Sequence, residues 1–322
     1  MRYCARRLAH SVFLLLGVSF LSFALTQFAP GSFFDEMKLN PQISPATVAD
    51  LRHQYGLDEP IWVRYSRWVK SAARGELGFS FAYNAPVAPL LIRRSGNTLL
   101  LTGTAMLLAW MIALPLGIFA AERRHGVLDQ ACSLATSAIM ATPELLLTLA
   151  FLLLAVRTRW FPTGGMFTPG AQPSGASHCV DLIAHLAGPA IIVALGSLPA
   201  LLRHTRAAML EVLQSPYIRA ARAHGLTRGR ILFFHALPAA LNPLISLGGV
   251  FLAYLLSGSL LVEVVLGWPG LGPFLLEAIL ARDFYVVIDT AMFSAALLVV
   301  GMLISDILLF VADPRIRTEG LT

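Results

Sequence analysis

The chain has 322 residues, of which 57% are hydrophobic and only 13% are charged. A soluble domain carries roughly 25% charged residues, so this composition excludes an ordinary soluble fold. The net charge of +6 does not indicate nucleic-acid binding, because the basic residues lie between long apolar segments and form no single basic arm. The three cysteines are widely spaced, so neither a metal site nor a disulfide framework is expected.

Three apolar segments in the first half of the chain are long enough to cross a bilayer, which takes about 20 residues. The first, about 8–28, follows three arginines. A cleaved signal peptide is the alternative, but the segment exceeds the roughly 7–15 residues of a signal core, and we expect it to remain as a helix. The second covers about 98–121, and the third, about 131–156, is interrupted at Pro143 and Glu144.

Three further spans follow in the second half. The fourth begins near Leu186 and continues as a charged helix toward Leu213. The fifth, about 239–262, is rich in glycine and serine, which allow helices to approach closely in lipid. The sixth covers about 286–311. The sequence therefore predicts an all-α membrane protein with six transmembrane helices and a small helical extracytoplasmic insertion after the first helix.

The predicted insertion, residues 30–96, contains two helical patterns. Residues 46–55 follow a capping Ser-Pro pair, and residues 61–73 form an amphipathic pattern with an aromatic stripe. We interpret the insertion as a lid on the outer mouth, with a docking surface for an external partner as the alternative. The predicted organisation is an N-terminal helix (1–29), the insertion (30–96), a five-helix core (97–312) and a cytoplasmic tail (313–322).

The distribution of arginines in short loops predicts the orientation in the membrane. The segments assigned to the cytoplasmic side contain most of them: Arg2, Arg6, Arg7, Arg123, Arg124, Arg203, Arg206, Arg219, Arg222, Arg228, Arg230, Arg315 and Arg317. The short outer loops contain Arg157, Arg159 and Arg282. We therefore expect both termini, Cys4 and Cys132 on the cytoplasmic side, and Cys179 outside.

The sequence indicates no enzyme. It contains no phosphate-binding loop, zinc-protease pair or nucleophile elbow, and no catalytic residue or bound cofactor is expected. The most informative segment is the loop between the fourth and fifth spans, about 207–238. Ser215 and Pro216 predict the start of a short helix and Gly225 its end, while Ala220 and Ala221 suit insertion into a groove on another protein.

This loop resembles the EAA loop of bacterial binding-protein-dependent ABC import permeases, through Arg219-Ala220-Ala221, Gly225 and Leu237-Pro238. In that family the loop forms the coupling helix that docks into an ATP-binding subunit. Arg219 stands where the loop usually has glutamate, so we transfer no role to that position. The resemblance implies an ATPase-coupling loop formed by Tyr217, Ala220, Ala221, Gly225, Leu226, Leu237 and Pro238.

Further segments resemble the first permease subunit of dipeptide and oligopeptide importers. They are Tyr55 to Pro60, Gly75 to Ser80, Gly267 to Gly272, Ala281 to Tyr285 and Asp313 to Arg317. The resemblance implies peptide import by alternating access across the bacterial cytoplasmic membrane. It also implies a second, related permease chain, two ATP-binding subunits that use ATP and Mg, and an extracytoplasmic substrate-binding protein.

Other cargo and another transporter class remain open at this point. Nickel, glutathione, antimicrobial peptides and murein peptides are alternative cargo within the same superfamily. A secondary transporter driven by an ion gradient would predict inverted repeats and several deep acids, and the sequence has one deep acid and no evident repeat.

The deep acid is Glu144, which directly follows Pro143. A charge in mid-bilayer costs about 2.5–3.5 kcal/mol on insertion scales and is usually turned inward. We therefore predict that Glu144 faces a translocation path and favours positively charged groups of the cargo. The alternative is that it is neutralised or bonded to a neighbouring helix.

Overall fold

The computed structural model describes residues 2–28, 44, 46, 48, 50, 53, 59–170 and 175–312. The helices in chain order are α1 (Arg2–Phe28), α2 (Ile61–Ala72), α3 (Val87–Glu122), α4 (Val127–Ala141), α5 (Glu144–Thr158), α6 (Ala176–Leu213), α7 (Pro216–Ala223), α8 (Arg228–Arg230), α9 (Leu237–Val265), α10 (Leu271–Leu280) and α11 (Phe284–Ala312). Strands β1 (Phe79–Ser80) and β2 (Ala85–Pro86) form an antiparallel hairpin, and a π-helical segment, Ile231–Ala236, joins α8 to α9.

Within the described residues, four helical stretches are long and apolar enough to cross a membrane: 87–122, 176–213, 228–251 and 284–308. Helices α4 and α5 pass the same test together, with a bend of 98° between them. The predicted interruption of the third span is therefore present. Its cause is Pro143, which disfavours helical backbone at Thr142, and Thr142 is indeed extended (φ −100°, ψ 121°). Helix α1 covers the first predicted span.

The chain divides into two compact units, residues 98–268 with 298–322 and residues 1–97 with 269–297. In the first of these, α6 and α9 pack along each other, and α3 adds a buried stripe at every fourth residue, namely Leu101, Ala105, Ala109 and Ala113. A Cβ on Gly249 of α9 would lie 2.8 Å from the Cα of Met302 on α11. The glycines of the fifth span therefore permit the close helix packing that the sequence predicts.

The other unit contains α2, whose predicted aromatic stripe is buried at Trp68 and partly buried at Tyr65 but is exposed at Trp62. Trp68 is buried with Phe23 of α1 and Ile288 of α11, and its indole Nε1–H donates to Asp289 Oδ1 at 3.0 Å. The Tyr65 hydroxyl lies 2.8 Å from that of Ser19. Aromatic packing and these hydrogen bonds hold α2 against α1 and α11.

The β hairpin, which the sequence analysis did not predict, is fastened to the connection between α10 and α11. Asp283 Oδ2 accepts hydrogen bonds from Ser80 Oγ at 2.7 Å and from the Ala82 N–H at 3.0 Å. The Tyr83 hydroxyl donates to Glu277. Burial raises the pKa of Tyr83, and the bond to Glu277 raises it further, so the phenol keeps its proton as a donor. Helix α3 then begins at Val87, eleven residues before the predicted second span.

Some expectations fall partly outside the described residues. Of the predicted helix at 46–55, residues 46, 48, 50 and 53 are described, and they are helical. The predicted tail, residues 313–322, lies outside the described part of the chain.

Candidate functional site

The predicted short helix between the fourth and fifth spans is α7. Ser215 precedes it with extended backbone, and Pro216 occupies its first turn, where a missing N–H costs nothing. Gly225 ends it with φ +76°, a conformation that glycine adopts without strain. The Gly225 N–H bonds to the Arg222 carbonyl at 3.0 Å, and the Leu226 N–H to the Ala221 carbonyl at 3.3 Å. The predicted start and end of the helix are correct.

One face of α7 rests on a buried apolar group that we call the support cluster. Ile218 is fully buried in it, and Ala221, Leu226 and Leu237 pack against it partly buried. Its buried members are Ile118, Ala121, Met209, Ile218, Ile231, Leu232, Ala236 and Ala240. These residues come from α3, α6, α7, the π segment and α9, so α7 is attached to four other elements.

The opposite face of α7 is exposed. Tyr217 is 49% exposed, and Arg219, Ala220, Arg222 and Ala223 are exposed as well. Gly225 and Pro238, also predicted as site residues, are exposed beyond the helix. The seven predicted residues therefore form two groups. Ala221, Leu226 and Leu237 pack against the support cluster, whereas the exposed residues are Tyr217, Ala220, Gly225 and Pro238. The outward surface is basic and lined by small side chains.

Ion pairs place the α3–α4 turn at the same end of this unit as α7. Arg228, just after α7, pairs with Glu122 at the end of α3. Arg206 of α6 contacts Asp129 of α4 through two hydrogen bonds of 2.5 and 2.8 Å. The His125 N–H donates to the same carboxylate at 2.9 Å. The basic segments 123–126 and 203–230 therefore lie at the same end of this unit.

The π-helical segment Ile231–Ala236 was not predicted from the sequence. A π-helix bonds residue i to i+5 and so makes a wider turn than an α-helix. It directs Ile231, Leu232 and Ala236 into the support cluster, while Phe233 and Phe234 are exposed by 48% and 76%. The segment contains neither glycine nor proline, so its sequence offered no signal for the change of helix type.

Glu144 lines a separate cavity of about 410 Å³ among α4, α5, α6 and α9. It is the first residue of α5 and lies at the 98° bend. Its neighbours in the wall are mostly apolar, with Thr142, Ser197 and His204 as the other polar side chains. Among the described residues the Glu144 carboxylate has no hydrogen-bond partner, and the described part of the chain contains no cluster of three metal-ligating side chains.

A glycine faces this carboxylate across the cavity wall. A Cβ on Gly258 of α9 would lie 3.1 Å from Glu144 Oε2 and 3.3 Å from Oε1, which is a tight contact. The absence of a side chain at Gly258 therefore leaves the space that the carboxylate occupies. The sequence alone does not reveal this contact, because it joins positions 114 residues apart.

Residues 113–318 match the family model described as "Binding-protein-dependent transport system inner membrane component". Residues 1–102 match the model of the corresponding N-terminal part. The chain belongs to this family. The match includes α7, the support cluster and Glu144. The family and the apolar helices together indicate a multi-pass protein of the inner membrane.

Three relatives align with this family member over nearly their whole length. The oligopeptide transport system permease protein AppB of Bacillus subtilis is 37% identical, with 98% of this chain and 99% of that protein covered. OppB of Mycobacterium tuberculosis is 33% identical, with 99% of each covered. The dipeptide transport system permease protein DppB of Escherichia coli is 32% identical, with 98% and 99% covered.

A solved structure supports the fold. The chain is similar to a chain of the MetNI methionine ABC transporter in inward-facing conformations, with a TM-score of 0.58 and 19% identity. The alignment covers 70% of this chain and 96% of that one. The two chains therefore share a fold.

Proposed function

We propose that this chain is one permease subunit of a peptide-importing ABC transporter and that α7 is its coupling helix. The relatives support the first part, since they are permease proteins of oligopeptide and dipeptide transport systems. Such proteins are transport subunits and not enzymes. The observation that carries the second part is the two-sided environment of α7, with Ile218 fully buried and Tyr217 and Ala220 exposed.

The mechanism follows from the attachment of α7. Two separate ATP-binding subunits bind and hydrolyse ATP with Mg, and this chain holds no cofactor. Closure of those subunits moves α7, and Ile218 transmits the movement through the support cluster to α3, α6 and α9. A second, related permease chain completes the path, and an extracytoplasmic binding protein delivers the peptide.

The proposed topology has six spans with both termini in the cytoplasm. Helix α1 is the first span, and α4 with α5 is the third. The ion pairs Arg228–Glu122 and Arg206–Asp129 support it, because they gather the α3–α4 turn and α7 at one end. That end carries the arginine-rich segments expected to face the cytoplasm. The insertion after α1 then lies outside.

Substitution of Ala220 by Trp tests the coupling role. A bulky side chain on the exposed face of α7 leaves the support cluster intact but blocks docking into a groove. We expect co-purification of the ATP-binding subunit to weaken at least tenfold, or about 1.4 kcal/mol. Ala73→Trp is the matched control, because Ala73 is an exposed alanine just after α2. Equal retention of the ATPase by both variants would refute the coupling role.

Uptake by reconstituted complexes separates the remaining alternatives. A peptide ABC importer requires ATP and continues after ionophores dissipate ion gradients, whereas a secondary transporter stops. Competition by di- and oligopeptides, but not by nickel or glutathione, is expected for peptide cargo. Uptake that depends on an ion gradient and not on ATP would refute the proposed function.

A further inference from the structure

We infer that the cavity beside Glu144 selects peptides that carry a cationic side chain and that Glu144 is the residue that contacts the ammonium group of this side chain. The inference rests on the proposed function, since only translocation brings cargo into a cavity within the membrane-spanning helices. It adds a preference for cationic peptides that is located in the permease itself and is separate from any preference of the binding protein.

The Glu144 carboxylate lines a largely apolar part of the cavity and has no hydrogen-bond partner among the described residues. The N-terminal end of α5 favours a negative charge at this position through the helix dipole. A carboxylate within a membrane protein is usually paired, and a passing ammonium group supplies such a partner.

Helix α6 offers a further acceptor beside the cavity, where Leu195, Pro199 and Ala200 line the same wall. Pro199 has no N–H, so the Leu195 carbonyl lacks the donor that an α-helix normally provides four residues later. An ammonium group has three donors and no acceptor, so it matches a carboxylate and a carbonyl together. The ring of Phe251, also in the wall, adds a surface that attracts cations.

The cavity has room for part of a peptide, since its volume of about 410 Å³ is within the range of about 300–1,000 Å³ typical of small-ligand sites. Gly258 keeps the carboxylate accessible, because a Cβ there would lie 3.1 Å from Oε2. A methyl group at this position forces the carboxylate to move without changing its charge.

The experiment compares uptake of two tripeptides that differ only in a central lysine or norleucine. The complete reconstituted complex is used with the same binding protein throughout, so any change in the uptake ratio originates in the permease. We expect Glu144→Gln to lower the preference for the lysine peptide about tenfold, equivalent to ~1.4 kcal/mol. Gly258→Ala is expected to lower it by a smaller factor.

Two variants serve as matched controls. Gly248→Ala changes a glycine on the same helix, where a Cβ would meet only Ser305 Oγ at 3.8 Å, an ordinary contact. Glu211→Gln removes an exposed acid near the end of α6. Both are expected to keep the wild-type uptake ratio.

The outcomes distinguish this inference from the function on which it rests. ATP-dependent uptake with an unchanged ratio in Glu144→Gln overturns the inference and leaves the proposed function intact. Absence of ATP-dependent peptide uptake by the wild-type complex overturns the proposed function. If Glu144→Gln abolishes all uptake, the ratio in Gly258→Ala decides: a lowered lysine preference supports the inference, and a wild-type ratio overturns it.

Discussion

Trp68 and Asp289 form a buried hydrogen bond that ties the insertion helix α2 to α11. Asp289 is 2% exposed, and its Oδ2 has no hydrogen-bond partner among the described residues. The indole donor at 3.0 Å from Oδ1 is therefore an important stabilising contact for this carboxyl group. Loss of such a donor leaves a buried acceptor unsatisfied.

Trp68→Phe removes that donor while keeping most of the aromatic volume. We expect a loss of about 1–3 kcal/mol in stability, the usual cost of an unsatisfied buried polar group. Thermal unfolding in detergent measures it. Trp62→Phe on the same helix is the control, because Trp62 is 66% exposed and stacks on Phe20. Equal unfolding temperatures for Trp68→Phe and Trp62→Phe would show that the hydrogen bond from Trp68 to Asp289 does not stabilise the protein.

The sequence predicts some site residues but not their partners. The exposure of Ala220 and the presence of a deep acid at Glu144 follow from local pattern, because a short capped helix and an acid within an apolar segment are visible along the chain. Gly258 and the Asp129–Arg206 pair depend on tertiary contacts between distant positions, which a single sequence does not reveal. The burial of Ile218 is partly predictable. It is the only large aliphatic residue of α7, which indicates the buried face of the helix but not the residues that it contacts.

At the scale of elements, α7 depends on Ile218 for its attachment. Ile218→Ala removes the one side chain of α7 that is fully buried in the support cluster. Truncation of a buried isoleucine lowers stability by about 2–5 kcal/mol. Here it weakens the packing of α7 on the support cluster. We expect ATP hydrolysis by the complex to continue while peptide uptake falls, because the helix no longer transmits the movement.

The ratio of peptide transported to ATP hydrolysed measures this uncoupling, and hydrogen exchange of α7 amides reports its local detachment. Arg219→Ala, at the exposed neighbouring position, is the control for α7 stability. Unchanged exchange and an unchanged transport ratio in Ile218→Ala would show that the support cluster is not the route of transmission.

The elements differ in how well a sequence predicts them. Long apolar segments predict spans reliably, because hydrocarbon thickness fixes helix length, and the interruption at Pro143 follows from proline stereochemistry. The β hairpin is too short for a two-residue periodicity, and Asp283 holds it through contacts some 200 residues away. Hydropathy does not predict that α3 begins as early as Val87, because the first turns of this helix include the charged residues Arg93 and Arg94.

For the whole molecule, the native cysteines test the orientation. Cys179 is free and exposed near the start of α6, whereas Cys132 is buried. With both termini in the cytoplasm, Cys179 faces outward. We expect a membrane-impermeant maleimide to label intact spheroplasts at Cys179, and Cys179→Ser to abolish this labelling. Labelling of Cys179 that requires permeabilised membranes would reverse the proposed topology.

Helix α6 has a mechanical consequence because it is much longer than one bilayer crossing. Its 38 residues extend about 57 Å at 1.5 Å per residue, and two residues, Gln214 and Ser215, join it to α7. At the other end, Asp181 accepts hydrogen bonds from Thr168 at 2.7 and 2.9 Å. A tilt of about 5° about the midpoint of the helix displaces its two ends by about 2.5 Å in opposite directions, given that length. If α7 is the coupling helix that we propose, α6 acts as a lever that carries a displacement of α7 to the loop around Thr168.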